Sequence, residues 1–457
     1  MTIPSLPPTA DAVVVGSGFA GLSAAVRLAE RGKRVVVLEE APRPGGRSTS
    51  FVDRDSGERV DNGQHALFGC YRETYDFLKR IGAADLAPLQ SQLSVTMAGE
   101  GRVETLACPP LPAPWHLIGG LMRWRGVNTA DRLSALRLFS FLRTVRARGA
   151  EAVAAETPAT LTVAEWLRDR GQSPALCRWL WHPLAIAALN QSPASAAAPA
   201  FVRVLGELFG SDPAAASIGL ATVPLDDLFA GPASTFIRER GGEVALRTRA
   251  RVALNTAGGF VVHANDARIA APVVVSGVPW HALGRLWGDE VPAELATINA
   301  AASAMSSSPI VTVNLWIRGA DGAAAPRTPP FIGFVDGPMH WLFDKRMIAP
   351  GMQHLSIVAS GADDLLRQDN AVLTALAHAQ IVRALPAFRD TVVERSVVVR
   401  EPRATFSLSP GGPSRPGAVT RLAGFYLAGD WTDTGLPGTI EGAVRSGHAA
   451  ADAALSA

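Results

Sequence analysis

The run DAVVVGSGFAGLSAAVRLAERGKRVVVLEE, residues 11–40, constrains this chain more than any other part of it. Val13–Val15 is β-branched and apolar throughout, as expected of a strand buried on both faces of a sheet. Gly16, Gly18 and Gly21 follow in the pattern GxGxxG. The first glycine lets the chain turn sharply, the second admits a pyrophosphate against the backbone, and the third lets a helix sit close to the strand. The start of that helix, at Phe19 and Ala20, offers free N–H groups and the positive end of a dipole to phosphates. A second apolar run, Val35–Leu38, ends at Glu39, with Glu40 beside it. A carboxylate there accepts hydrogen bonds from ribose hydroxyls and repels a 2′-phosphate. GxGxxG alone is a weak signal, and a tight strand–helix turn would also use it. Set between two strands and closed by glutamate, it predicts a dinucleotide site.

The rest of the composition narrows the class. At 457 residues the chain is too long for one compact core and suits two lobes, or one large lobe with a cap. Hydrophobic residues make up 48% of it, and the formal charge of +2 is no nucleic-acid signature. Cys70, Cys108 and Cys177 are widely spaced, so neither a disulfide framework nor a metal site is indicated, and a reducing cytoplasm is the simplest compartment. The start MTIPSLPPTADAVVVG does not read as a signal peptide, and no apolar run approaches the roughly 20 residues that span a bilayer.

APRPGGRSTSF follows the two glutamates. Its Gly45, Gly46 and Arg47 resemble the second glycine pair and arginine of flavoproteins of the amine-oxidase and phytoene-desaturase type, where they contact phosphate or flavin. Near the other end, FYLAGDWTDTGLPGTIEGAVRSGHAAADAAL reads as a strand, Gly429-Asp430, a loop, and a helix from about Thr439. Asp430 resembles the acidic ligand of the flavin ribityl chain. Gly438, Thr439, Ile440 and Ala443 would bring a helix start under the flavin pyrimidine, where its dipole stabilises negative charge. A third segment, 241–254, resembles the stretch whose backbone meets the adenine, through Ala250 or, in the other register, Val252. The cofactor implied is FAD, non-covalent because no cysteine follows Cys177.

VDNGQHALFGCYRET, WHPLAIAALNQSP, HWLFDK, REPRATF and AGDWTDTGLPGTIEGAVRSG together resemble the hydroxysqualene dehydroxylase family, relatives of the carotenoid desaturases. Asn190-Gln191 and His340 depart from it, where Asn-Thr and glutamine are more common. The resemblance implies an α/β fold: a Rossmann-type FAD-binding domain of the amine-oxidase/phytoene-desaturase kind with a discontinuous, largely α+β substrate domain. The first would comprise 1–90, 226–280 and 401–457, the second 91–225 and 281–400. It also implies replacement of the allylic hydroxyl of hydroxysqualene by hydride from reduced flavin, in squalene and hopanoid synthesis, with a flavin reductant as partner. A carotenoid-type desaturase, an amine oxidase and a non-catalytic isoprenoid carrier are the rival readings. The matching stretch for an amine oxidase's lysine, Ser303–Trp316, contains none.

By the same resemblance, Asn62, Gly63, Gln64 and His65 of VDNGQH line the flavin. Asp61 or His65 would protonate the leaving oxygen, directly or through water, unless His65 is a structural histidine packed on the flavin. Asp433 and Asp344 are further candidates, the latter reading as a turn residue. Trp166, Trp179, Trp181, Phe201, Phe209 and Trp316 are candidates for an isoprenoid tunnel, with core packing as the alternative for each. Residues 115–150 hold seven arginines, at 123, 125, 132, 137, 143, 146 and 148, against the single acid Asp131, interleaved with Leu117, Ile118, Leu121, Met122 and Trp124. A basic helix pair of this kind can lie on an anionic bilayer, placing the protein at the inner face of the cytoplasmic membrane.

Overall fold

The computed structural model describes residues 6–99, 101–288, 290–348 and 353–457. Its centre is a parallel sheet of five strands in the order Phe425–Leu427, Val273–Ser276, Ala12–Val15, Val35–Leu38, Glu243–Ala245. Val14 lies in register with Val37 and Val275. These three turn to one face, against the helices Phe19–Glu30, Ala230–Glu239 and Ile440–Ser456. Val13, Val36 and Val274 turn to the other, against a three-stranded antiparallel sheet, Ala250–Leu254, Phe260–Ala264 and Ala267–Ala271. Both faces are covered, which is why the strands are apolar at every position.

The two ends of the chain are locked together where the first and last helices cross. A Cβ on Gly447 would lie 2.2 Å from the Ala20 carbonyl oxygen, so only glycine allows this approach. Both helices therefore start at the same edge of the sheet. That edge is the carboxyl end of Ala12–Val15, from which the chain winds first to one side and then to the other, the place where such sheets bind ligands.

A second sheet of seven strands runs Thr391–Phe406, Ser307–Gly319, His354–Ser360, Trp341–Asp344, Phe331–Phe334, Ser94–Gly99, Arg102–Ala107. Only the pair Phe331–Phe334 and Ser94–Gly99 is parallel. Val311, Val313, Leu315, Leu355 and Ile357 pack with the helix Asn370–Ala384 on one face. Alternation sends Ile310, Val358, Trp341, Phe343 and Phe331 to the other, toward the ligand edge of the first sheet. The stretch 281–400 thus supplies five of the seven strands together with the helices Ala296–Ala304 and Asn370–Ala384, and Thr391–Phe406 runs through position 400, with Phe406 still paired to Ser307. Residues 115–208 are helical. The expected basic helix pair is three short helices, Trp115–Arg123, Thr129–Leu136 and Phe139–Arg148, because Gly126 and the Asn128 cap, which accepts from the Asp131 N–H, break the run. Among the described residues no helix is long and apolar enough to cross a membrane.

Candidate functional site

A cavity of about 580 Å³ follows the carboxyl ends of the parallel strands and continues beneath the seven-stranded sheet. Gly16, at φ +102°, turns the chain at its edge. Gly21 does not line it: a Cβ there would fall 2.0 Å from the Gly16 carbonyl oxygen, so this glycine serves the close packing of helix on strand. Gly18 faces the cavity, with no atom nearer than 4.0 Å to where its Cβ would be. Opposite stands Gly46, at φ +60°, whose Cβ would be 3.2 Å from the Gly18 Cα. Two side-chain-free backbones thus face one another, and Phe19 and Ala20 start the helix between them. This cradle fits a pyrophosphate.

Glu39 lies on the wall with both oxygens oriented from below. Oε2 accepts from the Ser17 N–H at 2.8 Å and hydroxyl at 2.7 Å, and Oε1 from the Ala41 N–H at 2.9 Å. Glu40 and Ala250 line the same end, whereas Val252 is buried in the core between the sheets. At the far end, Gly45, Arg47, Gly429, Asp430, Gly438, Thr439, Ile440 and Ala443 form the wall. Arg47 donates to Asp430 at 2.5 Å and to the Ala404 carbonyl at 2.7 Å. The Thr439 hydroxyl caps the last helix by accepting from the Gly442 N–H at 3.0 Å, leaving the first turn at Ile440 directed at the cavity.

VDNGQH divides its labour. Asn62 braces the Arg47 loop, donating to the Arg47 carbonyl at 2.7 Å. Gly63, Gln64 and His65 are on the cavity wall, but Asp61 is not. Its carboxylate is buried behind them, where it accepts from the Ser50 hydroxyl at 2.6 Å, the Leu225 N–H at 3.1 Å and the Lys345 ammonium at 2.7 Å. Burial alone would raise its pKa; the Lys345 charge and these hydrogen bonds bring it below the usual carboxylate range, so Asp61 is an anion with no proton to give. His65 Nε2 meets the Ser48 hydroxyl at 3.2 Å, and its Nδ1 is buried without a hydrogen bond. Burial depresses its pKa, the Asp61 carboxylate and Gly63 carbonyl opposing, so the ring is neutral near pH 7. Asp344 ends its strand and caps the turn that follows, accepting from the Arg346 N–H and paired with its guanidinium, and Asp433 lies off the cavity, joined to Arg415.

Lys345 is the residue that sequence reasoning passed over. It donates to Asp61 and, at 2.8 Å, to the Gln64 side-chain oxygen. The signal was present: lysine occurs only at Lys33, Lys79 and Lys345, and this one closes the stretch WLFDK. What the sequence could not supply was its partner, Asp61, far away along the chain.

A second, almost wholly apolar cavity of about 160 Å³ shares Phe68, Leu184, Ala187, Leu208, Ile218 and Trp341 with the first. Of the tunnel candidates, Trp179, Trp181 and Phe209 line this arm. Trp166 and Phe201 instead pack edge to face in the helical core, and Trp316 stacks on His354. A π turn at Cys177–Trp181 widens the helix that carries Trp179 and Trp181. The helix Trp115–Arg123 closes the arm's outer side with Leu117, Ile118 and Leu121.

The profile of the flavin-containing amine oxidoreductase family matches residues 19–455, and the chain belongs to that family. It is an FAD-dependent oxidoreductase, and the glycine cradle, Glu39 and the two helix starts fit that cofactor. Within this class it stands with the hydroxysqualene dehydroxylases: that of Rhodopseudomonas palustris is 30% identical over 97% of this chain and 98% of its own. A zeta-carotene desaturase of Arabidopsis thaliana is 24% identical over 98% of this chain and 86% of its own. Among solved structures, putrescine oxidase bound to putrescine aligns with a TM-score of 0.71 at 17% identity, covering 98% of this chain and 99% of that one, a likeness of fold alone.

Proposed function

We propose that this chain removes the allylic hydroxyl of hydroxysqualene, or a similar long isoprenoid alcohol, and replaces it with hydrogen, giving squalene for hopanoid synthesis. The observation that carries the reading is that the cavity holding the glycine cradle, Glu39 and the two helix starts shares its wall with an apolar arm that has almost no polar surface. Bound reduced FAD supplies the hydride, and a separate reductant must restore it. In this reading Gly18, Phe19, Ala20 and Gly46 hold the pyrophosphate, Glu39 the ribose, Ala250 the adenine, Arg47 and Asp430 the ribityl end, and Ile440 the pyrimidine. The chain's own contribution is to hold the isoprenoid in the arm, place its C–O bond at the Gln64–His65 wall, supply one proton to the departing oxygen, and exclude water that would recapture an allylic cation.

A C30 hydrocarbon at ~0.8 kcal/mol per CH₂ has on the order of 20 kcal/mol opposing its release into water. Its route favours lipid. Trp115 and Met122, 59% and 47% exposed, share the outer face of the helix whose Leu117, Ile118 and Leu121 line the arm. Arg123, at the end of that helix, and Arg125 and Arg143 of the same segment are exposed and positively charged. The protein therefore rests on the inner, anionic face of the cytoplasmic membrane through this helix, one helix away from its own substrate cavity. Other arginines of the segment have partners within the chain: Arg137 the Gly171 carbonyl, Arg146 the Gly210 carbonyl, Arg148 the Glu156 carboxylate.

Desaturation of a carotenoid is the second reading, favoured by the zeta-carotene desaturase likeness. It uses the same arm but runs the electrons the other way. Purified protein, reduced FAD and hydroxysqualene, mixed without oxygen, should yield squalene, carrying deuterium when the mixture is made in D₂O. No squalene under these conditions would remove the first reading.

A further inference from the structure

Behind the Gln64–His65 wall lies a separate cavity of about 20 Å³, bordered by Asp61, Gln64, His65, Phe343 and Lys345. It is large enough for a single water, which needs roughly 10–15 Å³ and two to four polar partners. Three such partners are there without another role. An ammonium has three N–H donors, and Lys345 uses two, on Asp61 and Gln64. Because Lys345 can only donate, it fixes the Gln64 amide with oxygen toward itself, and the amide's Nε2 is buried with no acceptor. The third is the buried His65 Nδ1, which meets no partner at hydrogen-bonding geometry although the Gly63 carbonyl lies near the ring.

We propose that one water in this cavity links Lys345 to His65, and that Lys345, water, His65 and Ser48 form a relay carrying a proton to the wall of the large cavity. The hydrogen-bond count sets the direction. Lys345 and the Gln64 amide nitrogen are pure donors and fill the water's two lone pairs, so the water must donate to His65 Nδ1. The imidazole then carries its proton on Nε2 and donates to the Ser48 oxygen, 3.2 Å away. Ser48 lines the large cavity and not the small one, and its own hydroxyl proton is free to be given there.

Every member thus accepts on one side and donates on the other. As the substrate C–O bond breaks, a proton passes from Ser48 to the departing oxygen and forms water. The Nε2 proton refills Ser48, the water's proton moves to Nδ1, and the Lys345 ammonium gives one proton to the water. The net change is one proton lost by Lys345, regained later from solvent. Burial favours this by holding the ammonium below its ordinary pKa even beside Asp61. Lys345 is a positioning residue and proton source; Ser48 is the group that touches substrate. The relay rests on the reaction proposed above, but the imidazole tautomer does not, so the two can fail separately.

The tautomer is read by long-range nitrogen–proton correlation spectra of histidine-labelled protein with oxidised FAD, assigned with His65→Gln. The wild type should give the neutral Nε2–H form, and an Nδ1–H form would overturn the proposal at once. Asp61→Asn/Lys345→Met, which removes both charges so that neither is left buried alone, should lose that preference; an unchanged tautomer would count against Lys345. In anaerobic single turnovers with hydroxysqualene, Ser48→Ala and the double variant should each react about a hundredfold more slowly with FAD content and substrate affinity kept. Unchanged rates in either would refute the relay.

Discussion

The Arg47 guanidinium and the Asp430 carboxylate meet at 2.5 Å across 383 positions of sequence, joining the second glycine pair to the turn after the last strand of the parallel sheet. The Asp430 side chain is only 6% exposed, and Arg47 is the cation paired with it. Arg47→Met should therefore lower the melting temperature of FAD-free protein more than Arg47→Met/Asp430→Asn, since the single change leaves a buried anion uncompensated. Both should weaken FAD binding by about tenfold or more, the worth of a charge-assisted hydrogen bond. Calorimetric melts and FAD titrations check this; equal melting temperatures for the two variants would show that the pair carries no such strain.

Gly18 and Gly21 should separate binding from folding. Gly18→Ala places a methyl in the cavity with nothing closer than 4.0 Å, so apo stability should stay within about 0.5 kcal/mol while FAD affinity falls at least tenfold. Gly21→Ala drives a methyl into the Gly16 carbonyl and should cost about 1–3 kcal/mol, visible in denaturant midpoints without FAD. The reverse ranking in apo stability would contradict the roles assigned to the two glycines.

Two histidines, half-buried His340 and buried His354, set an acid limit. Burial pushes His340 down to about 4 and His354, on a strand of the seven-stranded sheet, down to about 3. Unfolded histidine titrates near 6.5, so as pH falls from there the unfolded chain takes up protons that the folded chain refuses. Stability is therefore complete above about pH 6.5 and declines below it, by about 1.4 kcal/mol per pH unit for each histidine, until the folded rings themselves protonate near 4 and 3. His340 Nδ1 accepts from the Ser360 N–H at 3.0 Å, a role the glutamine oxygen can take. His340→Gln should flatten the decline between pH 6 and 4 by one histidine's share, measured by urea unfolding at stepped pH. An unaltered slope would mean His340 is not neutral in the fold.

The outer face of the helix Trp115–Arg123 should bind lipid. Flotation with vesicles containing phosphatidylserine should carry the wild type, lose most of it on Trp115→Ser/Met122→Ser, and weaken with salt through Arg123, Arg125 and Arg143. Wild-type protein that stays at the bottom, or a double variant that still floats, would assign this face to plain solvent exposure.

The nucleotide half of the site was legible because its logic is local. Val13–Val15 and Val35–Leu38 are strands within a residue of where their apolar runs place them, and the glycines between them have steric reasons that hold at short range. The substrate half was less so. Ile310, Val358 and Trp341 come from three strands whose antiparallel pairing no short window reveals. Asp61 read as a candidate acid since a carboxyl beside a polar wall invites that role; the ammonium that keeps it ionised arrives from Lys345, in the turn just past a strand of the seven-stranded sheet. Residues whose function depends on a distant partner are invisible until the partner is placed.

The most direct test is the direction of electron flow. Protein reduced in the absence of oxygen and mixed with hydroxysqualene should regain the yellow colour of oxidised FAD as squalene forms, one equivalent per flavin, and Ala187→Phe, which fills the junction shared by the two cavities, should stay colourless with its FAD bound. Reduced protein that remains bleached beside untouched hydroxysqualene, while oxidised protein is bleached by a carotenoid, would contradict the account and make the chain a desaturase.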